Sequence, residues 1–181
     1  MNLALPGFPL SPPPVVAATS PLHACGVTLR CAEAADLTFL RALYHQSRHA
    51  ELAAVPWPPP SRQAFLDSQF ELQHCHYVSH YRQPEFLIVT RNDAALGRLY
   101  LHTENDALCI VDILLLDTVR GQGVGTALLG HVQQLAHLRG CHRIQLSVLR
   151  DNTAAQRLYH RLGFIQSSAD DSRIGMCLPL S

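Results

Sequence analysis

The apolar run Leu108–Leu116, broken only by Asp112, leads into Val119-Arg120-Gly121-Gln122-Gly123-Val124-Gly125-Thr126-Ala127-Leu128. This junction constrains the fold more than any other stretch. The run suits a buried strand. Val124, Leu128, Val132 and Leu135 then recur at helical spacing, and Gly140 supplies a stop. Between strand and helix, glycines stand at the alternate positions 121, 123 and 125. Such a turn presents free backbone N–H groups and the positive end of the helix dipole. Glycine lets an anion approach the backbone closely, and Arg120 adds a permanent cation of phosphate-matching shape. The expected ligand of this turn is a phosphate or pyrophosphate.

The rest of the chain alternates between the two periods. Gly26–Ala32, with Val27, Leu29 and Cys31 on one face, predicts a first strand. Asp36 is the expected cap of a helix carrying Leu37, Leu40, Leu43 and Tyr44. Pro56-Trp57-Pro58-Pro59-Pro60 interrupts the chain, and Ser61 is expected to cap a longer helix reaching about Tyr81. Phe86–Thr90, Leu96–His102 and Leu108–Leu116 read as an antiparallel meander, with polar turns at Asn92-Asp93 and Glu104-Asn105-Asp106. Beyond the glycine turn and its helix, Ile144, Leu146 and Val148 alternate in a further strand. Asn152 can cap a helix with Ala155, Leu158, Tyr159 and Leu162 on one face, stopped by Gly163. Phe164–Gln166 and Ile174–Leu178 close the pattern as strands. The elements imply mixed α/β architecture around one sheet, with no internal repeat and no second domain.

Composition narrows the function classes. A chain of 181 residues suits one domain with a sizeable core. Its formal net charge of zero gives no support to binding of nucleic acid or an acidic membrane surface. No apolar run reaches the length of a membrane span. The cysteines Cys25, Cys31, Cys75, Cys109, Cys141 and Cys177 form no Cys-x-x-Cys pair, so a reduced, cytoplasmic setting is the simpler reading. Residues 1–25 hold Pro6, Pro9, Pro12, Pro13, Pro14 and Pro21 and no Lys or Arg. A signal peptide wants a charged start and an uninterrupted helical core. Residues 1–25 are therefore expected to be a flexible Pro-rich tail ahead of a domain over 26–181.

Three phosphate motifs compete for the glycine turn. A Walker loop needs Gly-Lys-Ser/Thr before its helix, and none is present. In a Gly-x-Gly-x-x-Gly fingerprint the third glycine would fall at Thr126 or Leu128, so that also fails. What remains is Arg-x-x-Gly-x-Gly, formed by Arg120, Gly123 and Gly125. A structural turn with glycines for tight packing would explain the same residues. The stretch Leu146–Phe164 adds a strand, a loop, Asn152 at a helix start and then Leu158-Tyr159-x-x-x-Gly163-Phe164.

Both elements, in this order, resemble the GNAT superfamily of N-acetyltransferases. The first resembles its acyl-CoA pyrophosphate motif and the second its Asn/Tyr helix. The resemblance is strong from Gly97 to Phe164 and extends more weakly over Val27–Leu178. Val55-Pro56-Trp57, Gly97-Arg98-Leu99-Tyr100 and Val111-Asp112-Ile113 also look like a bacterial subgroup of the superfamily. The resemblance implies a mostly antiparallel central sheet flanked by helices and splayed between its fourth and fifth strands. It implies acetyl-CoA as cosubstrate, no metal, and direct transfer to a primary amine of a small molecule or protein. Backbone N–H groups of Gly121, Gln122, Gly123, Val124, Gly125 and Thr126, with Arg120, would hold the pyrophosphate. Ile113, Leu114 and Leu115 would pair with the pantetheine arm, and Asn152 would hydrogen-bond it. Tyr159 would stand near the thioester sulfur.

Chemistry follows from those positions. A backbone N–H near Leu115 can polarise the thioester carbonyl, and Tyr159 can supply a proton as general acid. A core aromatic with a wet hydroxyl is the plainer reading of Tyr159. Asp112, the one charge in its strand, is either the general base or a structural partner of Arg98. His102 and Glu104 are further candidates for the base. Some protein-acetylating members carry an acid where this chain has Ser147. Asp117 stands where the family usually has Pro. His76 and His80 share a helical face, but nothing else in the sequence pairs with them as a zinc site would require. Trp57, Phe65, Tyr77 and Tyr81 are candidates to contact the acceptor, or are ordinary core. The competing functional class is an acyl-CoA-binding sensor without catalysis. A monomer or a homodimer is equally compatible with the pattern.

Overall fold

A computed structural model describes residues 5–81 and 83–180. Its elements are α1 (Pro21–Ala24), β1 (Thr28–Cys31), α2 (Leu37–Ala53), α3 (Pro59–His80), β2 (Glu85–Arg91), β3 (Ala94–Glu104) and β4 (Ala107–Leu115). They continue with α4 (Val124–Leu138), β5 (Arg143–Leu149), α5 (Thr153–Arg161), β6 (Ile165–Ala169) and β7 (Arg173–Pro179). The strands form one sheet in the order β1-β2-β3-β4-β5-β7-β6. All pairs are antiparallel except β4 with β5. The meander turns are those expected. Asn92 and Asp93 both have positive φ, 49° and 62°, which suits a tight hairpin turn.

Side-chain alternation along the strands divides the core in two. Leu87, Val89, Leu99, Leu101, Leu108 and Ile110 face α4 and α5. Phe86, Ile88 and Tyr100 face α2 and α3. Two helix starts differ from expectation. Helix α3 begins at Pro59 rather than after Ser61, because Pro59 and Pro60 fit a first turn whose N–H groups have no intrahelical partner. Asp36 precedes α2 without capping it. Its carboxylate instead takes the Arg30 guanidinium at 2.6 and 2.8 Å and the Glu33 N–H at 2.8 Å.

The fork in the sheet has a local cause. Opposite β3, the pairing slips between Tyr100, which faces Asp112, and Leu101, which faces Ile110. Val111 is left as an extra residue, a β-bulge, and such bulges bend the strand that carries them. Strand β5 follows β4 only from Ala107–Arg143 to Ile110–Leu146. The bulge sits one residue beyond the last of these pairs. From Val111 onward the edge of β4 facing β5 is open. Across β3, Gly97 accepts a close approach of β4: an added Cβ would lie 2.3 Å from Leu114 O.

The described part of the N-terminal segment, residues 5–25, is not a free tail. It wraps the β1 edge of the sheet and touches both faces. Phe8 packs 5.2 Å from Phe86 and 5.0 Å from His74, by ring centroids. His74 Nε2 donates to Pro6 O at 2.7 Å. The Cys31 thiol approaches Pro12 O at 3.4 Å, Sγ to O, as the segment crosses the edge. On the other face Leu22 of α1 is fully buried, and Pro21 lies against Gly130 of α4. Ser20 Oγ is 3.3 Å from Nδ1 of the buried His131. The prolines keep the segment extended, while Leu5, Phe8, Val16 and Leu22 supply enough apolar surface to dock it.

Candidate active site

The glycine turn follows β4 through a short 3-10 turn, Asp117–Val119. Gly121 and Gly123 have φ of 75° and 82°, a left-handed conformation that side chains resist. Gly123 is the residue from which α4 starts. Gly125 is the second residue of α4, where an added Cβ would be 3.5 Å from Leu158 of α5. The glycines thus have separate uses. Two shape the turn and one lets α4 approach α5.

A cavity of about 580 Å³ opens between the fork and this turn. Ile113, Leu114, Leu115, Arg120, Gly121, Gly123, Gly125, Thr126, Asn152 and Tyr159 all line it. These expected binding residues are separated by many positions in the chain and meet in one wall. Two others do not line it. Val124 is buried in the core, and the Gln122 amide bonds Thr118 O at 2.8 Å, bracing the loop. Sequence reasoning missed Arg157 and Arg161, cations of α5 in the same lining. Their signal was available: they are the polar face of the helix that carries Tyr159. Arg120 is held by Asp117 at 2.9 Å, so its charge is partly spent within the loop.

The open edge of β4 has defined polarity. The Leu116 N–H donates to Leu96 O at 2.8 Å, on the β3 side. Strand N–H groups alternate, so those of Ile113 and Leu115 point the other way, into the fork. Asn152 caps α5 as expected, its Oδ1 accepting the Ala155 N–H at 3.1 Å. Its amide NH₂ therefore remains as the donor. Tyr159 is buried, with its ring 5.6 Å from Phe164. Among the described residues no group bonds its hydroxyl. Burial, and to a smaller degree the Asp112 carboxylate, push its pKa up to about 12. The phenol is neutral at any ordinary pH.

A second cavity, about 630 Å³, opens on the opposite face of the sheet, over the last β4–β5 pairs. Tyr77, Tyr81, His102, Glu104, Cys109, Val111, Ser147 and Arg173 are in its lining. Of the candidates to meet an acceptor, Tyr77 and Tyr81 are here. Trp57 and Phe65 are not; they pack against each other, ring centroids 5.1 Å apart. His102 and Glu104 line this cavity and Asp112 does not. Asp112 Oδ2 accepts from Arg98 Nη2 at 2.6 Å and from the Tyr77 hydroxyl at 3.0 Å. Arg98 also donates to Gln73 Oε1 at 2.8 Å. Asp112 is thus the anion of a buried network under α3. The His76 and His80 rings stack 4.7 Å apart, and among the described residues no three His, Cys, Asp or Glu side chains gather as a metal site.

The family comparison agrees with this geometry. Residues 41–164 match the model of the acetyltransferase (GNAT) family. The chain belongs to that family. Among solved structures, it is similar to the PaiA N-acetyltransferase from Thermoplasma acidophilum in complex with coenzyme A. That match has 16% identity, covers 85% of this chain and 99% of the other, and has a TM-score of 0.68. It is also similar to the ribosomal-protein-S18-alanine N-acetyltransferase from Escherichia coli, at 24% identity, with 86% and 94% covered and a TM-score of 0.57. A spermidine N-acetyltransferase chimera from Vibrio cholerae and hSSAT matches at 19% identity, with 85% and 95% covered and a TM-score of 0.60. At these identities the likeness is one of fold. The protein is an acetyltransferase of the GNAT family, with acetyl-CoA as cosubstrate.

Proposed function

We propose that the protein transfers an acetyl group from acetyl-CoA directly to a primary amine, with Tyr159 as proton donor. One observation carries the reading. The fork edge of β4, the left-handed glycines and the Tyr159 phenol share one cavity wall, although they come from three separate parts of the chain. The wall fits the cosubstrate in order. The backbone N–H groups of the turn, with Arg120, Arg157 and Arg161, suit phosphates. The open edge at Ile113 and Leu115 suits the amides of a pantetheine arm, as an added strand would. The Asn152 NH₂ is a further donor beside that arm.

The chain's own groups then divide the work. The Leu115 N–H stabilises negative charge growing on the carbonyl oxygen. The amine enters from the opposite cavity, through the fork. As its nitrogen bonds the carbonyl carbon, the C–S bond breaks. Tyr159 delivers a proton to the sulfur, and the nitrogen loses one on the acceptor side. His102, nearer the fork in the lining of the acceptor cavity, is the candidate to take that proton, ahead of Glu104 at the closed end of β4, whereas the bonds from Arg98 and Tyr77 favour a structural role for Asp112. A neutral phenol is the state a proton donor requires.

The test is acetyl-CoA binding by calorimetry, followed by thiol release across a panel of amines. Micromolar binding with turnover of at least one amine supports transfer. Binding with no turnover of any amine would support the alternative, an acyl-CoA sensor. A Gly123→Glu variant that stays folded should lose binding, because it adds bulk and negative charge to the phosphate cradle. Absence of binding by folded wild type would sink both readings.

A further inference from the structure

The acceptor cavity contains a cation that nothing yet described uses. Arg173 begins β7, opposite Leu149 of β5. Its side chain reaches back along β5, exposed at the rim of the cavity. Nε donates to Ser147 Oγ at 2.8 Å, and Nη2 donates to Ser147 O at 2.9 Å. The guanidinium is therefore fixed by two bonds. Among the described residues no carboxylate forms an ion pair with it within 4.0 Å. Two neutral acceptors orient it, and the Nη1 donors and one Nη2 donor are unspent.

Its position along the sheet gives the charge a meaning. Ser147 is the first residue of β5 beyond the last β4–β5 pair, Ile110–Leu146. The cation thus sits at the mouth of the fork, on the acceptor side. The floor beside it is hydroxyl-rich and close. Gly175 pairs with Ser147, and a Cβ there would lie 2.2 Å from Ser168 Oγ and 3.3 Å from Ser167 Oγ. Glycine at 175 keeps room for those hydroxyls in the lining. Neither carboxylate of the cavity is paired with the guanidinium. Asp170 Oδ1 is taken by the N–H groups of Ser172 and Arg173 and by the Ser172 hydroxyl. Glu104 lies opposite Ala107, at the end of β4 where the sheet is still closed.

Resting on the acetyltransferase reading, we infer that the acceptor is a small amine with a carboxylate next to its amino group, such as a free α-amino acid. Arg173 receives the carboxylate in a charge-assisted hydrogen bond. That holds the neighbouring nitrogen over the fork. The closeness of cation and fork selects an adjacent carboxylate over a distant one. A peptide N-terminus carries an amide at that point, which cannot use the charge, and a polyamine carries a second cation, which Arg173 repels. No step beyond the transfer already described is needed: the carboxylate is unchanged, and the product is the N-acetylated acid.

The experiment compares thiol release with the common α-amino acids and with their α-amides, for wild type, Arg173→Gln and Arg173→Lys. For at least one pair, kcat/KM should favour the acid by roughly tenfold to a hundredfold, the span of a hydrogen bond to a charged group. In Arg173→Gln that ratio should fall to near one, mainly through a higher KM for the acid, with part of it retained in Arg173→Lys. Calorimetry with acetyl-CoA on each variant reports whether it is folded and competent. Equal or better use of amides, turnover of other amines alone, or a preference that survives Arg173→Gln would overturn the inference while leaving the transferase intact. A folded wild type that binds no acetyl-CoA would overturn both.

Discussion

Asp112 Oδ2 lies 2.6 Å from Nη2 of Arg98, and the Arg98 side chain is only 3% exposed. A buried guanidinium without its carboxylate keeps its charge in a poor solvent. Asp112→Ala should therefore destabilise the fold by about 3–5 kcal/mol, read from denaturant midpoints. Asp112→Asn keeps the shape and separates the two roles. A structural Asp112 predicts a clear loss of stability with kcat within about tenfold. A basic Asp112 predicts a rate loss on the order of 10²-fold or more with little loss of stability.

Tyr159→Phe keeps the ring that packs on Phe164 and removes the hydroxyl. Its kcat should fall by roughly 10²–10⁴, with acetyl-CoA affinity unchanged. Because the phenol pKa is pushed up to about 12, wild-type kcat should show no loss from its ionisation below about pH 11. The sign for stability follows. A folded pKa above the unfolded value of about 10 means that unfolding releases a proton between those values. Tyr159 stabilises the fold below about pH 10, and that contribution fades as pH rises further. Tyr77 and Tyr100, raised mainly by burial, act in the same direction. Thermal melts across alkaline pH check it.

Asp117 neutralises part of Arg120 at 2.9 Å, with both side chains at least half exposed. Asp117→Ala should free that cation for phosphate. Acetyl-CoA should bind a few-fold more tightly at low ionic strength, and the gain should shrink as salt is added. Calorimetry at two salt concentrations measures it.

The docking of residues 5–25 predicts acid sensitivity. His74 and His131 each contact this segment, and burial lowers the pKa of both. A folded pKa below the unfolded value of about 6.5 means that unfolding takes up protons in acid. Stability should be full above about pH 6.5 and should fall as pH drops below it. A Leu22→Ala variant, emptying a fully buried site, should cost about 2–5 kcal/mol and loosen the segment. Limited proteolysis at pH 5 and pH 7.5 reports both effects.

What the sequence disclosed depends on how local each cause is. Gly121 and Gly123 were legible because a left-handed backbone demands glycine wherever it occurs. The Asn92-Asp93 turn and the Asn152 cap likewise act within a few residues. The bulge at Val111 was not legible, since it is a mismatch between two strands and leaves no marker in Ile110-Val111-Asp112. Nor was the packing on the α3 face, which drew Asp112 into a network with Arg98 and Tyr77 and brought Arg173 into the lining of the acceptor cavity. The N-terminal segment misled for another reason. Its prolines report an extended backbone, which suits a docked strap as well as a solvated tail, and only Phe8 and Leu22 hinted at the first.

The strap has a consequence for the order of assembly. Its anchors, Pro6 with His74 and Ser20 with His131, span 68 and 111 residues of chain. On a ribosome residues 5–25 emerge long before α4 exists to receive α1. They must wait, apolar and unplaced, until most of the sheet has formed, and their closure is an expensive long loop gained late. Residues 5–25 are thus made before the elements that fix them, and until those emerge the β1 edge stays open to any other strand that reaches it.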